Sequence, residues 1–235
     1  MPVYTESDQG KQRDRNEDFV HSFEVDGVQV LMVADGLGGH SAGHIASEMA
    51  ATQFSECFQK KYSGEISEEV VEQCFENAED AVHRRIEENA ELEGMGCTLV
   101  TAVVKDGKAV LGNAGDSRAY LIRDSEIQQV SEDHTEVQFH GMAGRRRKST
   151  YLYNVIGGGE EGVQVDIFEQ DLSQGDVLLL CTDGLTDELG DSRIQRVVSK
   201  SDSVSDAGRT LVEYANKSGG SDNITVALYS PELVG

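Results

Sequence analysis

The spacing of apolar positions changes along the chain, and each change marks an element. Phe19 to Val25 and Val28 to Ala34 are short apolar runs joined by Asp26-Gly27, a pair suited to a two-residue hairpin turn. Two stretches at helical spacing follow. In the first, Ala42, Ile45, Ala46, Met49, Ala50 and Phe54 form one apolar stripe. In the second, Val70, Val71, Cys74, Phe75, Ala78, Ala81, Val82 and Ile86 do the same. Each stripe is backed by a charged face, as expected for a helix lying on a sheet.

Strand-like runs return at Cys97 to Val104, Ala109 to Asn113 and Ala119 to Arg123, the first two joined by a turn at Asp106-Gly107. The pattern dissolves from about Glu136 to Gly162. Strands are predicted again over Val163 to Glu169 and Asp176 to Cys181. A helix is predicted over Val204 to Asn216, with Ser203 and Asp206 placed as a capping box. Ile224 to Tyr229 reads as a closing strand. Hairpin turns favour antiparallel pairing, and the helices are segregated from the strands. The fold class is therefore α+β, with layered antiparallel sheets and helices outside, not a doubly wound parallel sheet.

Composition narrows the picture. The chain has 235 residues, 38% apolar and 27% charged, a globular balance. Its two prolines sit at positions 2 and 231, and no composition shift or repeat marks a second domain. One domain over 1–235 is expected, and a monomer. No apolar run approaches the ~20 residues of a membrane span, and the first residues lack the basic start and apolar segment of a secretory signal. Cys57, Cys74, Cys97 and Cys181 form no C-x-x-C pair. Buried reduced thiols and a cytoplasmic location are expected. The formal net charge of −23 argues against nucleic acid, whose binding needs cations facing phosphates. Most of that charge is read as surface acidity.

Candidate chemistry lies in carboxylates beside glycines at the ends of strand-like runs. The clusters are Asn16-Glu17-Asp18, Asp35-Gly36-Leu37-Gly38-Gly39-His40, Gly115-Asp116-Ser117-Arg118, Thr182-Asp183-Gly184 and Ser221-Asp222-Asn223. A single Asp-Gly is usually a turn, and Asp222-Asn223 alone could simply open a strand. Five clusters in one chain suit hard cations, which gather oxygen ligands from distant positions.

These stretches resemble one family. RDRNED (Arg13 to Asp18), VADGLGGH (Val33 to His40), GNAGDSRAYL (Gly112 to Leu121), EDHT (Glu132 to Thr135), LLLCTDGLTD (Leu178 to Asp187) and GGSDNITV (Gly219 to Val226) are similar, in order and spacing, to the metal-dependent protein phosphatases. These are also called type 2C serine/threonine phosphatases, and the DGxGGH form resembles the bacterial branch. The resemblance implies a four-layer α-β-β-α sandwich, with a metal site at one end of the sheet pair. It implies two to three divalent cations, Mn²⁺ or Mg²⁺. It also implies phosphoserine and phosphothreonine proteins as substrates, such as those made by a serine/threonine kinase.

Roles carry over residue by residue. Asp35 is expected to bridge two cations, with the Gly36 carbonyl on one of them. Asp183 and Asp222 hold the first cation. Glu17 holds the second through water, with Asp18 close by. Asp116 and Asp187 match positions that bind a third, weaker cation, and Arg13 matches the arginine that grips phosphate. Water activated between two cations would attack phosphorus in one step. Cation binding is expected to stabilise the fold while releasing few protons near neutral pH.

Two departures stand out. Eukaryotic members place a histidine after the Asp-Gly pair as general acid, whereas this chain has Leu37. His40 is the substitute expected, a cation-bound water the alternative. The segment at about 136–162 corresponds to a flap beside the active site. Here it is short and carries Arg145-Arg146-Arg147-Lys148, either a solvated loop or a dock for an acidic partner. Motifs of cysteine-based and aspartate-based phosphatases are missing. The competing reading is a non-catalytic phosphatase-like regulatory or binding module, in which metal aspartates or the phosphate arginine should be lost. All of them are present.

Overall fold

A computed structural model describes residues 2–38, 42–140, 147–158 and 162–231, with the backbone alone at 138–140 and 147–150. The chain opens with β1 (Val3–Asp8), β2 (Phe19–Val25), β3 (Val28–Ala34) and a short β4 (Gly36–Leu37). Two long helices follow, α1 (Gly43–Lys61) and α2 (Glu68–Glu88). Next come β5 (Gly96–Cys97), β6 (Leu99–Lys105), β7 (Lys108–Ala114), β8 (Arg118–Arg123) and β9 (Glu126–Gln129). A hairpin of β10 (Thr135–His140) and β11 (Arg147–Leu152) leads to β12 (Asp166–Asp171) and β13 (Val177–Cys181). Three helices, α3 (Asp183–Thr186), α4 (Asp191–Val198) and α5 (Val204–Ser218), precede β14 (Ile224–Tyr229).

The strands form two five-stranded antiparallel sheets, ordered β1-β14-β13-β8-β9 and β12-β7-β6-β3-β2. Side chains alternate between faces along a strand, and that alternation sorts the core into three layers. Leu31, Val33, Val100, Ala102 and Leu111 of one sheet meet Ala119, Leu121, Leu178, Leu180 and Ala227 of the other. The alternate residues Val28, Val30, Met32 and Ala34 face α1 and α2, packing with Phe54, Phe58, Phe75 and Val82. On the far side, Tyr120, Leu179, Val226 and Leu228 pack with Ile194, Val197, Leu211 and Val212 of α4 and α5. The result is the expected four-layer α-β-β-α sandwich. Among the described residues, no helix is long and apolar enough to cross a membrane.

Local chemistry explains the element ends. Asp26 and Gly27 both have positive φ (48° and 76°), as do Asp106 and Gly107 (48° and 76°), the conformation of a tight hairpin turn. Ser203 Oγ accepts from the Asp206 backbone N–H at 3.1 Å and starts α5, which caps one otherwise unpaired donor. The four cysteines are free and buried.

Three expectations need correction. The segment after Glu136 is not patternless. Thr135 pairs with Leu152 and His140 with Arg147 in an antiparallel hairpin. Its strands are polar because it stands off the core, with Val137 and Tyr151 exposed. The strand expected from Val163 begins only at Asp166, since Val163 and Val165 pack onto the helix-side core without joining the ladder. The helices α3 and α4 were not expected. The first is four residues long, and α4 shows only Ile194, Val197 and Val198 on its buried side.

Candidate active site

Both sheets present their functional ends on the same side of the molecule. Phe19 opens β2 opposite Ala34, where β3 stops, and Leu99 pairs with Ala114, where β7 stops. In the other sheet Cys181, the last residue of β13, pairs with both Val226 and Arg118. Asp18, Asp35, Asp116, Asp183 and Asp222 each lie within two residues of one of these strand ends. Rigid strands thus deliver side chains from five parts of the chain to one place.

The charges show how closely they gather. Burial pushes the Asp35 carboxyl well above the usual carboxylate range, and the charges of Asp18, Asp183, Asp222 and Asp116 push it further. Asp183 is pushed up to about 7, by burial first and then by Asp116, Asp222, Asp187 and Asp18. Asp18 rises to about 6, because burial outweighs the hydrogen bonds from Thr225 and Thr182. Asp116 is raised as well, chiefly by burial. Like charges in a poorly solvated space disfavour ionisation. This corrects the expectation of few released protons. A cluster that holds protons near neutral pH must give them up when a cation takes its oxygens.

Several partners fix the geometry. Arg13 Nη2 donates to Asp222 Oδ2 at 2.5 Å. Burial works to lower the Arg13 guanidinium, and the Asp222 hydrogen bond with the charges of Asp222, Asp35 and Asp183 outweighs it. Thr182 Oγ1 donates to Asp18 Oδ2 at 2.9 Å. The Asp35 backbone N–H donates to Thr98 Oγ1 at 2.9 Å, and the Thr98 N–H returns to the Asp35 carbonyl at 2.9 Å. Gly36 pairs with Cys97 in the small β4–β5 ladder, and a side chain there would collide with the carbonyls of Glu17 and Gly43.

Asn223 holds the loop that carries Arg13 and Glu17. Its Nδ2 donates to the carbonyls of Gln9 and Arg15, both at 2.8 Å, and its Oδ1 accepts from the Glu17 N–H at 2.9 Å. Ser47 Oγ of α1 donates to the Glu17 carbonyl at 2.7 Å. An open cleft of about 530 Å³ lies over this loop, lined by Gln12, Arg13, Asp14, Arg15, Glu17, Gly38 and Asn223.

Arg13, Asp18, Asp35, Asp116, Asp183, Asp187 and Asp222 therefore lie near enough to act on one another's charge, with Glu17 on the cleft wall. His40 lies outside the described residues, as do Arg145 and Arg146 and the side chains of Arg147 and Lys148. Thr98 and Ser47 carried no sequence signal, and Thr182 stood out only as the neighbour of Asp183, because each acts through hydrogen bonds to residues distant in the chain. Asn223, read in the sequence as a possible strand opener, is a clamp.

Among the described residues, no three His, Cys, Asp or Glu side chains converge on one point. Arg13 and Thr182 each engage a carboxylate oxygen of the cluster. Yet Asp183 Oδ1 is buried without any hydrogen-bond partner, a costly arrangement for a carboxylate. The donors are all oxygens, the preference of hard divalent cations. The residues fit such ions.

Comparison with known proteins gives the family and the fold. Residues 9–228 match the family model described as protein phosphatase 2C. The serine/threonine phosphatase stp of Listeria welshimeri is 34% identical over 242 residues, covering 97% of this chain and 95% of that protein. The crystal structure of the Mycobacterium tuberculosis serine/threonine phosphatase PstP/Ppp superimposes with a TM-score of 0.84 at 27% identity, covering 98% of each chain. The PstP catalytic domain in complex with two manganese ions superimposes at 0.81, again at 27% identity, covering 97% of this chain and 96% of that one. With its motifs, its layered sheets and its gathered aspartates all accounted for, the chain belongs to the protein phosphatase 2C family, in its bacterial branch.

Proposed function

We propose that the chain is a cytoplasmic, monomeric, metal-dependent serine/threonine protein phosphatase, one catalytic domain with a short flap, acting on phosphoserine and phosphothreonine in a single step. The observation that carries this reading is the unpartnered, buried Asp183 Oδ1 inside a carboxylate cluster edged by Arg13. Two to three divalent cations, Mn²⁺ or Mg²⁺, when bound, would activate water and offset the charge that develops on the phosphoryl oxygens.

Asp35 would be the central cation ligand, supported by its place among Asp18, Asp183, Asp222 and Asp116. Asp183 and Asp222 would hold one ion with it, and Glu17 would hold a second through water, with Asp18 close by. The Gly36 carbonyl would serve one of these two, and Asp116 and Asp187 a third. Arg13 lies on the cleft wall, exposed to an incoming phosphate. Its fork can engage two phosphoryl oxygens at once, and to do so it must release Asp222. Leu37 has no proton to give, so the leaving oxygen takes its proton from His40 or from water.

Para-nitrophenyl phosphate with Mn²⁺ tests the reading. Hydrolysis that is abolished by EDTA and by Asp183→Asn supports it. Absence of hydrolysis by the Mn²⁺-loaded chain, of this substrate and of phosphopeptides alike, would refute it.

A further inference from the structure

We infer that His134 is a positioning residue, the joint that ties the turn carrying Asp116 to the base of the β10–β11 hairpin. The inference rests on the proposed role of Asp116 as a cation ligand and concerns what aims that side chain.

His134 is 4% exposed, and each of its polar atoms is engaged. Its Nδ1 accepts from the Gly115 backbone N–H at 3.1 Å. Its own backbone N–H donates to the Gly115 carbonyl at 3.0 Å. Both sides of one residue, the neighbour of Asp116, are thus held by one histidine. Asn113 Nδ2 adds a second donor to the Gly115 carbonyl at 3.2 Å. Gly115 has φ +117°, and a side chain there would strike Thr98, so the turn needs a glycine, whose freer backbone must be held by its partners.

The ring is itself locked. Asn154 Nδ2 donates to Nδ1 at 2.6 Å, and its orientation is set by Gln164, whose N–H and carbonyl it engages at 3.0 and 2.5 Å. With two donors on Nδ1, the ring proton sits on Nε2, which donates to Asp166 Oδ2 at 2.9 Å. The tautomer that accepts from Gly115 is the one the surroundings select.

The same residue reaches the hairpin. His134 precedes Thr135, the first residue of β10, and its carbonyl accepts from the Tyr153 N–H, just after β11, at 3.1 Å. The Tyr153 ring lies 5.6 Å from the imidazole, tilted by 36°. A shift at the hairpin base therefore reaches Gly115, and through it Asp116, along hydrogen bonds with no slack between them.

The test uses the full chain, with Mn²⁺ as probe. His134→Ala, Asp166→Ala and Asp116→Asn are compared by calorimetric titration and, without metal, by hydrogen exchange. His134→Ala should weaken the loosest Mn²⁺ site about tenfold or more and leave tighter sites within about twofold. It should also raise exchange in the 113–117 turn and in the hairpin together. Asp166 lies partly exposed on edge strand β12. Its alanine variant should show the same pattern more weakly, and it decides the matter if His134→Ala does not fold. A loosest site unchanged by His134→Ala but removed by Asp116→Asn would overturn the inference. So would equal weakening of every site, or exchange that rises in the hairpin alone. If Asp116→Asn removes no site, the ligand role of Asp116 is what fails, and the coupled exchange still decides the joint.

Discussion

Arg13 Nη2 and Asp222 Oδ2 stand 2.5 Å apart, joining residues 209 positions distant in the chain. The arginine proposed to grip phosphate and an aspartate proposed to hold a cation are thus each other's partner. Their side chains are 52% and 28% exposed, so the pair is open to exchange. Phosphate and cation binding become linked, because occupying Asp222 with a cation frees Arg13. Arg13→Ala should lower kcat/KM for a phosphopeptide by about tenfold or more, roughly 1.4 kcal/mol, mainly through KM. It should also lower the Mn²⁺ concentration for half-maximal activity. Arg13→Lys should not restore KM, since an ammonium lacks the planar fork. A variant needing more Mn²⁺ than the parent would contradict the linkage.

The raised carboxyls set a pH dependence for the metal-free protein. Asp183 titrates at about 7 in the fold, against 3.8 in the unfolded chain, and Asp18 at about 6. Between those limits the native state binds protons that the unfolded chain has already lost. Stability must then fall as pH rises through that window, the reverse of an aspartate held by a cation or an arginine. Melting temperatures in EDTA should therefore decline from about pH 5 to about pH 8. Mn²⁺ at 100 times its Kd should add about 2.7 kcal/mol and flatten the decline. A metal-free protein whose melting temperature rises over that window would show that the cluster is ionised and relaxed without cations.

Asp183 separates function from stability. Its Oδ1 is buried and unpartnered, and its charge acts on Asp35 and Arg13 alike. Asp183→Asn removes one repulsive charge from the metal-free cluster and one ligand from the loaded one. The variant should melt higher than the parent in EDTA and lower than the parent in Mn²⁺, and lose activity by about a hundredfold or more. Melting lower in both conditions would mean that the side chain holds the fold rather than a cation.

Much of this was readable from spacing alone. Asp-Gly turns placed β2 and β3 to the residue, and Ser203 placed the start of α5. The aspartates stood out because they follow or precede apolar strand-like runs, several of them beside a glycine. What escaped is non-local. β1 alternates without a distinct apolar face and exists by pairing with β14. The β10–β11 hairpin is polar because it leaves the core, so burial imposes no alternation on it. Thr98, Thr182 and Asn223 act across 63, 164 and more than 200 positions, distances at which no local pattern forms.

Gly184 is the point where the two halves of the site touch. It is the second residue of α3, and a Cβ there would run into the Asn223 carbonyl, with Asp222 Cβ only 3.3 Å away. Asp183 precedes it, so α3 can bring Asp183 beside Asp222 only if residue 184 has no side chain. Gly184→Ala would push α3 off the 222–223 segment and disturb the Asn223 clamp on Gln9, Arg15 and Glu17. The expected cost is about 1–3 kcal/mol of stability, with Mn²⁺ binding and kcat/KM each reduced about tenfold or more. Gly190 provides the control. It has ordinary backbone angles, φ −67° and ψ 157°, and nothing within 4 Å of a Cβ. Gly190→Ala should therefore change stability by about 0.5 kcal/mol or less and leave Mn²⁺ binding alone. Equal losses at 184 and 190 would assign the effect to glycine replacement in general, and the close approach of α3 to Asn223 would carry no part of it.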